Sequence, residues 1–193
     1  TEGARGNVIK LVSQILKRKF TIDERSMLEV HIHDKKRKTS SLYALNDVVI
    51  SRGTSRKMIN ITLSVDSKAA SDYISDGLII STPTGSTAYA LSAGGAVMEP
   101  EVDGIEIVPI CAHTLTSRPH IVSGKKEIEI TFNKPLDGAT LTLDGQETIE
   151  LVANSKITIK QAKHKAKLLR LKSKENDFYF RIREKFLWRR TAN

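Results

Sequence analysis

Residues 59–66 read Ile-Asn-Ile-Thr-Leu-Ser-Val-Asp, with an apolar side chain at every odd position and a polar one at every even position. Successive side chains of a β-strand point to opposite faces of the sheet, whereas a helix places apolar residues at spacings of three and four. The segment therefore predicts a strand with one face on a core and the other in water.

The same period of two recurs elsewhere in the chain, at residues 28–33, 128–132, 141–143 and 157–159. Residues 77–80 and 105–110 are apolar almost throughout, as expected of strands covered on both faces. Asp144-Gly145 predicts a hairpin, because both residues tolerate positive φ angles, and Asp137-Gly138 predicts another turn. Many short strands separated by turns predict a mainly β fold, a layered β-sandwich.

Amphipathic helical spacing is found near both ends of the chain. Near the start, apolar residues share one face after Asn7 as N-cap: Val8, Leu11, Val12, Ile15 and Leu16. Near the end, a stripe follows Asn176 or Asp177 as cap: Phe178, Ile182 and Phe186. We therefore expect a short N-terminal helix and a C-terminal helix.

Composition places the chain among soluble globular proteins, with 39% hydrophobic and 27% charged residues. No apolar run approaches the ~20 residues of a membrane span, and the first residues lack the apolar core of a signal peptide. Cys111 is the single cysteine, which excludes an internal disulfide and suits a reducing cytoplasm.

The formal charge is +9, with basic clusters at Lys17–Lys19, Lys35–Lys38 and Lys160–Lys174. A net positive charge attracts anions, among them nucleotides, polyphosphates and nucleic acids. It is equally compatible with a solvated basic surface that has no dedicated partner. Aromatic residues are only 5% of the chain, so stacking platforms for a nucleic acid are scarce.

The segment 76–95 joins a buried strand to a loop rich in hydroxyl groups. Five hydroxyl residues lie within seven positions: Ser81, Thr82, Thr84, Ser86 and Thr87. A short helix is expected to follow at residues 88–92, and a strand, a loop of small residues and a helix start offer free N–H groups to a ligand. The loop lacks the lysine of a P-loop and the G-x-G-x-x-G pattern. An ordinary polar turn is the alternative, since the same residues favour turns.

Asn46-Asp47 interrupts an otherwise apolar strand at residues 44–51. An amide supplies donors and acceptors, and a carboxylate accepts hydrogen bonds from ribose hydroxyls. A strand end with the pair facing water explains the pattern equally well.

The histidines favour structural interpretations. His113 with Arg118 follows the end of an apolar strand, where a lone histidine is more often structural than catalytic. His31 and His33 share a strand face, but no third metal ligand is near them in sequence, so a solvated face is favoured over a metal site.

Three stretches together resemble the C-terminal, NAD-binding domain of NAD kinases: Leu45–Val49, Ser75–Tyr89 and Leu91–Gly95. The segments His113–Pro119 and Asp144–Gln146 also match in order, and the resemblance runs from about residue 16 to the C-terminus. Related lipid and diacylglycerol kinases share the two-domain plan, but the Thr-Gly-Ser-Thr-Ala-Tyr run with Asn46-Asp47 favours NAD.

The resemblance implies an N-terminal α/β domain and a C-terminal β-sandwich domain, with the active site between them. It implies transfer of the terminal phosphoryl group of ATP or polyphosphate to the adenosine ribose 2′-hydroxyl of NAD, giving NADP. A divalent cation such as Mg²⁺ is required, and the family forms dimers or tetramers. We accordingly expect a cytoplasmic homo-oligomer that binds small-molecule nucleotides, with no nucleic acid or membrane as partner.

The resemblance also assigns NAD-binding roles by position. Asn46 is expected at the adenine, with Asp47 as its acidic partner, and Asp76 at the nicotinamide end. The remaining expected contacts lie along or near the adenosine and its ribose: Thr84, Thr87, Ala88, Tyr89 and Ser92. No metal ligand is expected among them.

One departure from the family pattern concerns catalysis. The Gly-Gly-Asp-Gly motif that carries the catalytic aspartate is missing, and Gly94-Gly95 is followed by Ala96 instead of Asp. We expect that aspartate upstream, residues 1–16 to be a connecting helix from a missing N-terminal α/β domain, and residues 17–193 to be the β-sandwich NAD-binding domain. The chain alone is then expected to be inactive; a stand-alone, non-catalytic nucleotide-binding or regulatory module is the alternative.

Overall fold

The computed structural model describes residues 8–9, 12–34, 41–114, 116–134, 136, 138–171 and 178–187. Within them the chain is mainly β. The strands are β1 (Phe20–Arg25), β2 (Leu28–His33), β3 (Leu42–Ala44), β4 (Asp47–Ser51), β5 (Ile59–Val65), β6 (Lys68–Ser75), β7 (Gly77–Ser81), β8 (Gly104–Ile110), β9 (His120–Ser123), β10 (Ile128–Phe132), β11 (Thr140–Leu143), β12 (Glu147–Glu150), β13 (Lys156–Gln161) and β14 (Ala166–Leu171).

Two six-stranded antiparallel sheets form the body of the fold. The first has the order β3-β2-β13-β10-β5-β6, and the second has the order β12-β11-β4-β7-β8-β9. Apolar side chains of both sheets belong to one core, with Val30 and Ile61 from the first sheet and Ile50 and Leu141 from the second. The prediction of a layered, mainly β sandwich is confirmed.

The alternating segments form the strands that the sequence predicts. In β5, Ile59, Ile61 and Leu63 are buried, while the polar residues between them are partly exposed. The two strands that are apolar almost throughout, β7 and β8, lie in the middle of the second sheet and are buried on both faces. Their outer face is covered by a small apolar cluster in which Ile79 and Val108 pack with Ala90.

The Asp144-Gly145 hairpin joins β11 to β12 as predicted. Asp144 and Gly145 have φ angles of +50° and +67°, the left-handed pair of a two-residue hairpin turn. The N–H of Gln146 donates to the carbonyl of Leu143 over 2.9 Å and closes the turn. Of the other predicted turn, Gly138 has a φ of +70°, and Asp137 lies outside the described residues.

Helices are few in the described part of the chain. A 3-10 turn at Gly85–Thr87 precedes α1 (Tyr89–Ser92), and α2 (Phe178–Leu187) lies near the C-terminus. Residues 8–9 and 12–16 are helical, so both terminal helices are confirmed. The expected caps Asn7, Asn176 and Asp177, and also Leu11, lie outside the described residues. No helix in the described ranges has the length and apolar character to cross a membrane.

The chain divides into two compact units. Residues 25–166 form the larger unit, which contains both six-stranded sheets. The smaller unit takes in the chain before residue 25 and after residue 166, where Nε of Arg170 donates to Oδ2 of Asp23 over 2.9 Å.

Candidate functional site

Two loops that are far apart in sequence meet at one end of the second sheet. The first, residues 45–47, leads into β4 and is called here the amide-acid loop; the second, residues 81–87, follows β7 and is called the hydroxyl loop. The N–H of Thr82 donates to the carbonyl of Asn46 over 2.9 Å, and its hydroxyl donates to the carbonyl of Leu45 over 2.7 Å. The two stretches expected to form one site therefore lie side by side.

Gly85 allows this close approach. A Cβ atom built on Gly85 would lie 2.0 Å from the carbonyl oxygen of Asn46, far inside any real contact. The obstructing atom belongs to the backbone and cannot rotate away. Only glycine therefore fits at this point of the hydroxyl loop.

Asp144 holds the amide-acid loop from its other side. Its Oδ2 accepts the N–H of Leu45 over 2.8 Å, and its Oδ1 accepts those of Asn46 and Asp47 over 2.7 and 3.1 Å. The N–H of Asp144 donates back to the carbonyl of Asp47 over 3.0 Å. A carboxylate that accepts three N–H groups forms strong, charge-assisted hydrogen bonds, so the hairpin turn fixes the loop.

A hollow of about 410 Å³ lies against these loops on the outer face of the second sheet. Its wall comes from three segments: Asn46, Asp47, Val49 and Ser51 along β4; Ala88 and Tyr89 after the hydroxyl loop; and Thr142, Asp144 and Gly145 of the hairpin. Tyr89 is 47% exposed, so its ring is available to a ligand. The mixture of one aromatic ring, an amide, carboxylates and small residues suits a polar ligand with a flat group.

Asp47 is the most perturbed acid of this wall. It is only 4% exposed, and burial, followed by repulsion from Asp144, raises its pKa from 3.8 to about 6. At neutral pH the group is mainly a buried carboxylate, which can only accept hydrogen bonds. A ligand that offers hydroxyl or amino donors at this end of the hollow would therefore be favoured.

The domain model described as "ATP-NAD kinase C-terminal domain" matches residues 45–171, which is more than half of the chain. The chain belongs to the NAD kinase family. The match includes all the loops that line the hollow.

Curated proteins named NAD kinase match most of the chain. The chain is 40% identical over 166 residues to an NAD kinase of Carboxydothermus hydrogenoformans, which covers 86% of this chain and 59% of that protein. It is 41% identical over 177 residues to an NAD kinase of Acinetobacter baylyi, covering 92% of this chain and 57% of that protein. The chain thus spans about three fifths of the length of these relatives.

Two solved structures share the fold. A yeast NADH kinase complexed with NADH superposes with a TM-score of 0.85 at 27% identity, covering 97% of this chain and 55% of that one. An NAD kinase from Archaeoglobus fulgidus in complex with ATP superposes with a TM-score of 0.68 at 26% identity, covering 86% and 61%.

Four of the eight residues expected from the family pattern line the hollow, namely Asn46, Asp47, Ala88 and Tyr89. The other four are not part of its wall. Thr84 and Thr87 are half-buried within the hydroxyl loop, where Thr87 Oγ1 donates to the Thr84 carbonyl, and Ser92 is exposed on α1. None of these three lines the hollow.

Asp76 lies at the far end of β7 from the hydroxyl loop, roughly 16 Å from Ser81 at the rise of a strand. Its Oδ1 is 2.8 Å from Nε of Arg52, and its carbonyl accepts the N–H of Arg52. Because Arg52 follows Ser51, the last residue of β4 and part of the wall, Asp76 stands beyond that end of the hollow.

The sequence left two interpretations of the hydroxyl loop, a ligand-binding loop or an ordinary polar turn, and different hydroxyl residues support each. Ser81, Thr82 and Ser86 are buried and bond within the protein, which is the behaviour of an ordinary polar turn. Thr84 differs, since its Oγ1 is buried and has no hydrogen-bond partner in the described part of the chain. The sequence assigned no site role to Asp144; the signals that could have found it were the predicted Asp144-Gly145 hairpin and the match of Asp144–Gln146 to the family pattern.

The remaining candidates lie elsewhere. Arg118 lines a separate polar cleft of about 310 Å³, together with Tyr73 and His120. His31 contacts Glu29 over 3.1 Å, and His33 contacts the hydroxyl of Thr158. Among the residues that the structure describes, no three His, Cys, Asp or Glu side chains are grouped to hold a metal ion.

Proposed function

We propose that this chain is the NAD-binding part of an enzyme that phosphorylates the 2′-hydroxyl of the adenosine ribose of NAD and yields NADP. The observation that carries the proposal is the junction of the amide-acid and hydroxyl loops beside one hollow, within a family whose relatives are named NAD kinases. The yeast neighbour binds NADH and the archaeal one binds ATP, which supports a dinucleotide and ATP as ligands here.

The shape of the hollow supports an elongated ligand. It runs along β4 from Asp47 to Ser51, and Asp76 stands beyond its far end. We assign the adenosine half of NAD to Asn46, Asp47, Ala88 and Tyr89, and the nicotinamide end to Asp76. Thr84, Thr87 and Ser92 are assigned to the surroundings of the adenosine ribose.

Asp47 suits a ribose or an adenine edge, because the buried carboxylate accepts hydrogen bonds and those groups donate them. Fixing the ribose matters for the reaction, since phosphoryl transfer depends mainly on alignment and on stabilisation of charge. The part of the reaction assigned to this chain is therefore recognition and orientation of the acceptor hydroxyl.

Phosphoryl donation is assigned to the portion of the relatives that this chain does not span. The Gly-Gly-Asp-Gly motif is missing from the sequence. The donor, ATP or polyphosphate, its cation and the catalytic aspartate are therefore placed in an N-terminal α/β domain, to which residues 1–16 would connect the β-sandwich domain of residues 17–193. A cytoplasmic homo-oligomer is part of the same proposal.

Two measurements on the purified 193-residue chain test this function. Calorimetric titration with NAD is expected to give a weak, saturable binding isotherm, and an assay with NAD, ATP and Mg²⁺ is expected to give no NADP. Absence of NAD binding at millimolar concentrations would refute the proposal. NADP formation would refute the placement of the catalytic aspartate outside this chain.

A further inference from the structure

Glu106 is a buried acid in a strand whose other members are apolar apart from Gly104 and Pro109. It is 1% exposed, and in the antiparallel register it lies opposite Ser81, which on its other side lies opposite Asp47. Residues directly opposite each other project to the same face, so the three side chains form one row across β4, β7 and β8. Ile105 and Ile107 point the other way, into the core between the sheets.

Only half of this carboxyl group is satisfied within the described residues. Oε1 accepts the N–H of Ala96 over 2.5 Å, whereas Oε2 is buried and lacks a hydrogen-bond partner. A half-satisfied buried carboxyl group is costly, and an apolar side chain of similar size would avoid that cost. Stability alone therefore does not account for a glutamate at this position.

The group that Glu106 holds is the turn between α1 and β8. A Cβ atom at Gly95 would lie 2.7 Å from Oε1 of Glu106, so the backbone of Gly95 packs closely against the carboxyl group. From the other side, the N–H of Gly95 donates to the carbonyl of Ala90 in α1 over 2.9 Å.

The same turn reaches the hydroxyl loop through Ser86. The N–H of Met98 donates to Oγ of Ser86 over 2.9 Å, and that hydroxyl donates to the carbonyl of Pro83 over 2.7 Å. Ser86 itself is fully buried. A continuous path of contacts thus leads from Glu106 through residues 95–98 to the loop that precedes Ala88 and Tyr89.

We propose that Glu106 is a positioning residue for the nucleotide site, which clamps residues 95–98 and through Ser86 holds the hydroxyl loop and Tyr89 at the edge of the hollow. The identity of the ligand in this inference depends on the proposed function. The clamp itself does not depend on that function, because it is a property of the unliganded protein.

Burial raises the pKa of Glu106, and the hydrogen bond from Ala96 partly opposes the rise. The neutral acid favoured in this way resembles an amide in shape and hydrogen bonding. Glu106→Gln is therefore the conservative variant, since its carbonyl can accept the N–H of Ala96. Glu106→Leu keeps the approximate volume and removes the acceptor.

The test combines amide hydrogen exchange without ligand and the dissociation constant for NAD. Glu106→Leu is expected to speed exchange at Ala96 and Met98, and to weaken NAD binding by about 3- to 10-fold, the effect of one lost hydrogen bond. Glu106→Gln is expected to restore both values to within about 2-fold of the parent chain. Ile157→Val, a destabilising change in the other sheet, serves as control and should alter neither.

Ser86→Ala interrupts the same path at its other end and keeps the test decisive if Glu106→Leu does not fold. It should speed exchange at Met98 and weaken NAD binding to a similar extent. Unchanged exchange at Met98 in both variants, or NAD affinity equal to that of the Ile157→Val control, would overturn the inference. If the parent chain binds no NAD, the proposed function fails, and the exchange data alone decide whether the clamp exists.

Discussion

The main-chain N–H of Asn46 donates to Oδ1 of Asp144 over 2.7 Å, although 98 residues separate the two in sequence. The contact is possible because β11 pairs with β4 in the second sheet, so the turn after β11 reaches the loop before β4. Asp144 thereby orders the segment that presents the Asn46 side chain to the hollow.

Replacement of Asp144 by Asn is expected to destabilise the chain by about 1.5–3 kcal/mol, because charge-assisted hydrogen bonds to main-chain N–H groups are lost. Asparagine tolerates the left-handed conformation, so backbone strain is not the cause. Urea unfolding measures the effect. Asp66→Asn is a matched control, since Asp66 has a φ of +49° in an exposed turn, where its ion pair with Lys126 contributes little to stability. Equal losses in the two variants would contradict the role assigned to Asp144.

The raised pKa of Asp47 predicts a pH dependence of stability. The folded group titrates at about 6 and the unfolded one near 3.8, so ionisation opposes folding as the pH rises through this window. Asp47→Asn should therefore be more stable than the parent chain at pH 7, by about 1–3 kcal/mol, and nearly equal to it below pH ~4. Denaturant unfolding at several pH values gives the difference. A variant less stable than the parent at pH 7 would show that Asp47 gains more from its surroundings than burial costs it.

Gly85→Ala is expected to disrupt the junction of the two loops, because its Cβ would meet the carbonyl oxygen of Asn46 at 2.0 Å. We expect the free energy of unfolding to fall by about 3 kcal/mol or more, at or above the upper end of the usual cost of overpacking. Gly145→Ala is the control, since its Cβ would meet nothing within 4 Å and its φ of +67° costs only ~1–2 kcal/mol. Thermal unfolding followed by circular dichroism compares the two variants. A smaller loss of stability in Gly85→Ala than in Gly145→Ala would contradict the close contact between the two loops.

Tyr89→Ala should weaken NAD binding by about 1–3 kcal/mol, the usual contribution of a base stacked on an aromatic ring. The ring is 47% exposed, so the unfolding temperature should change little. Tyr43→Ala removes a similarly exposed ring from β3 in the other sheet and should leave binding unchanged. Calorimetric titration measures both variants, and equal affinities would exclude Tyr89 from the site.

Local patterns predicted the central strands and the loops of the site for a physical reason. Strands such as β5 and β10 bury one face, so selection for burial leaves a period of two in the sequence. The edge strands β3, β6 and β9 were not predicted. β6 reads Lys-Ala-Ala-Ser-Asp-Tyr-Ile-Ser, and the edge of a sheet buries too little of it to impose that period.

Contacts between residues that are distant in sequence could not be predicted, for a different reason. Asp144 and Glu106 act through pairing of β11 with β4 and of β8 with β7, and that pairing is set by the whole fold and not by neighbouring residues. The hydroxyl loop and Asn46-Asp47 were predicted to meet because the family resemblance supplied the long-range information. The Arg52–Asp76 ion pair lies at the opposite end of β7 and had no signal in the sequence.

The central claim is that the amide-acid loop and the hydroxyl loop together form an NAD site, and titration of the ¹⁵N-labelled chain with NAD tests it most directly. We predict that the amide signals of residues 45–47, 84–92 and 142–145 shift together and saturate with one dissociation constant. Shifts restricted to the lysine-rich residues 156–170, or no shifts with excess NAD, would contradict it.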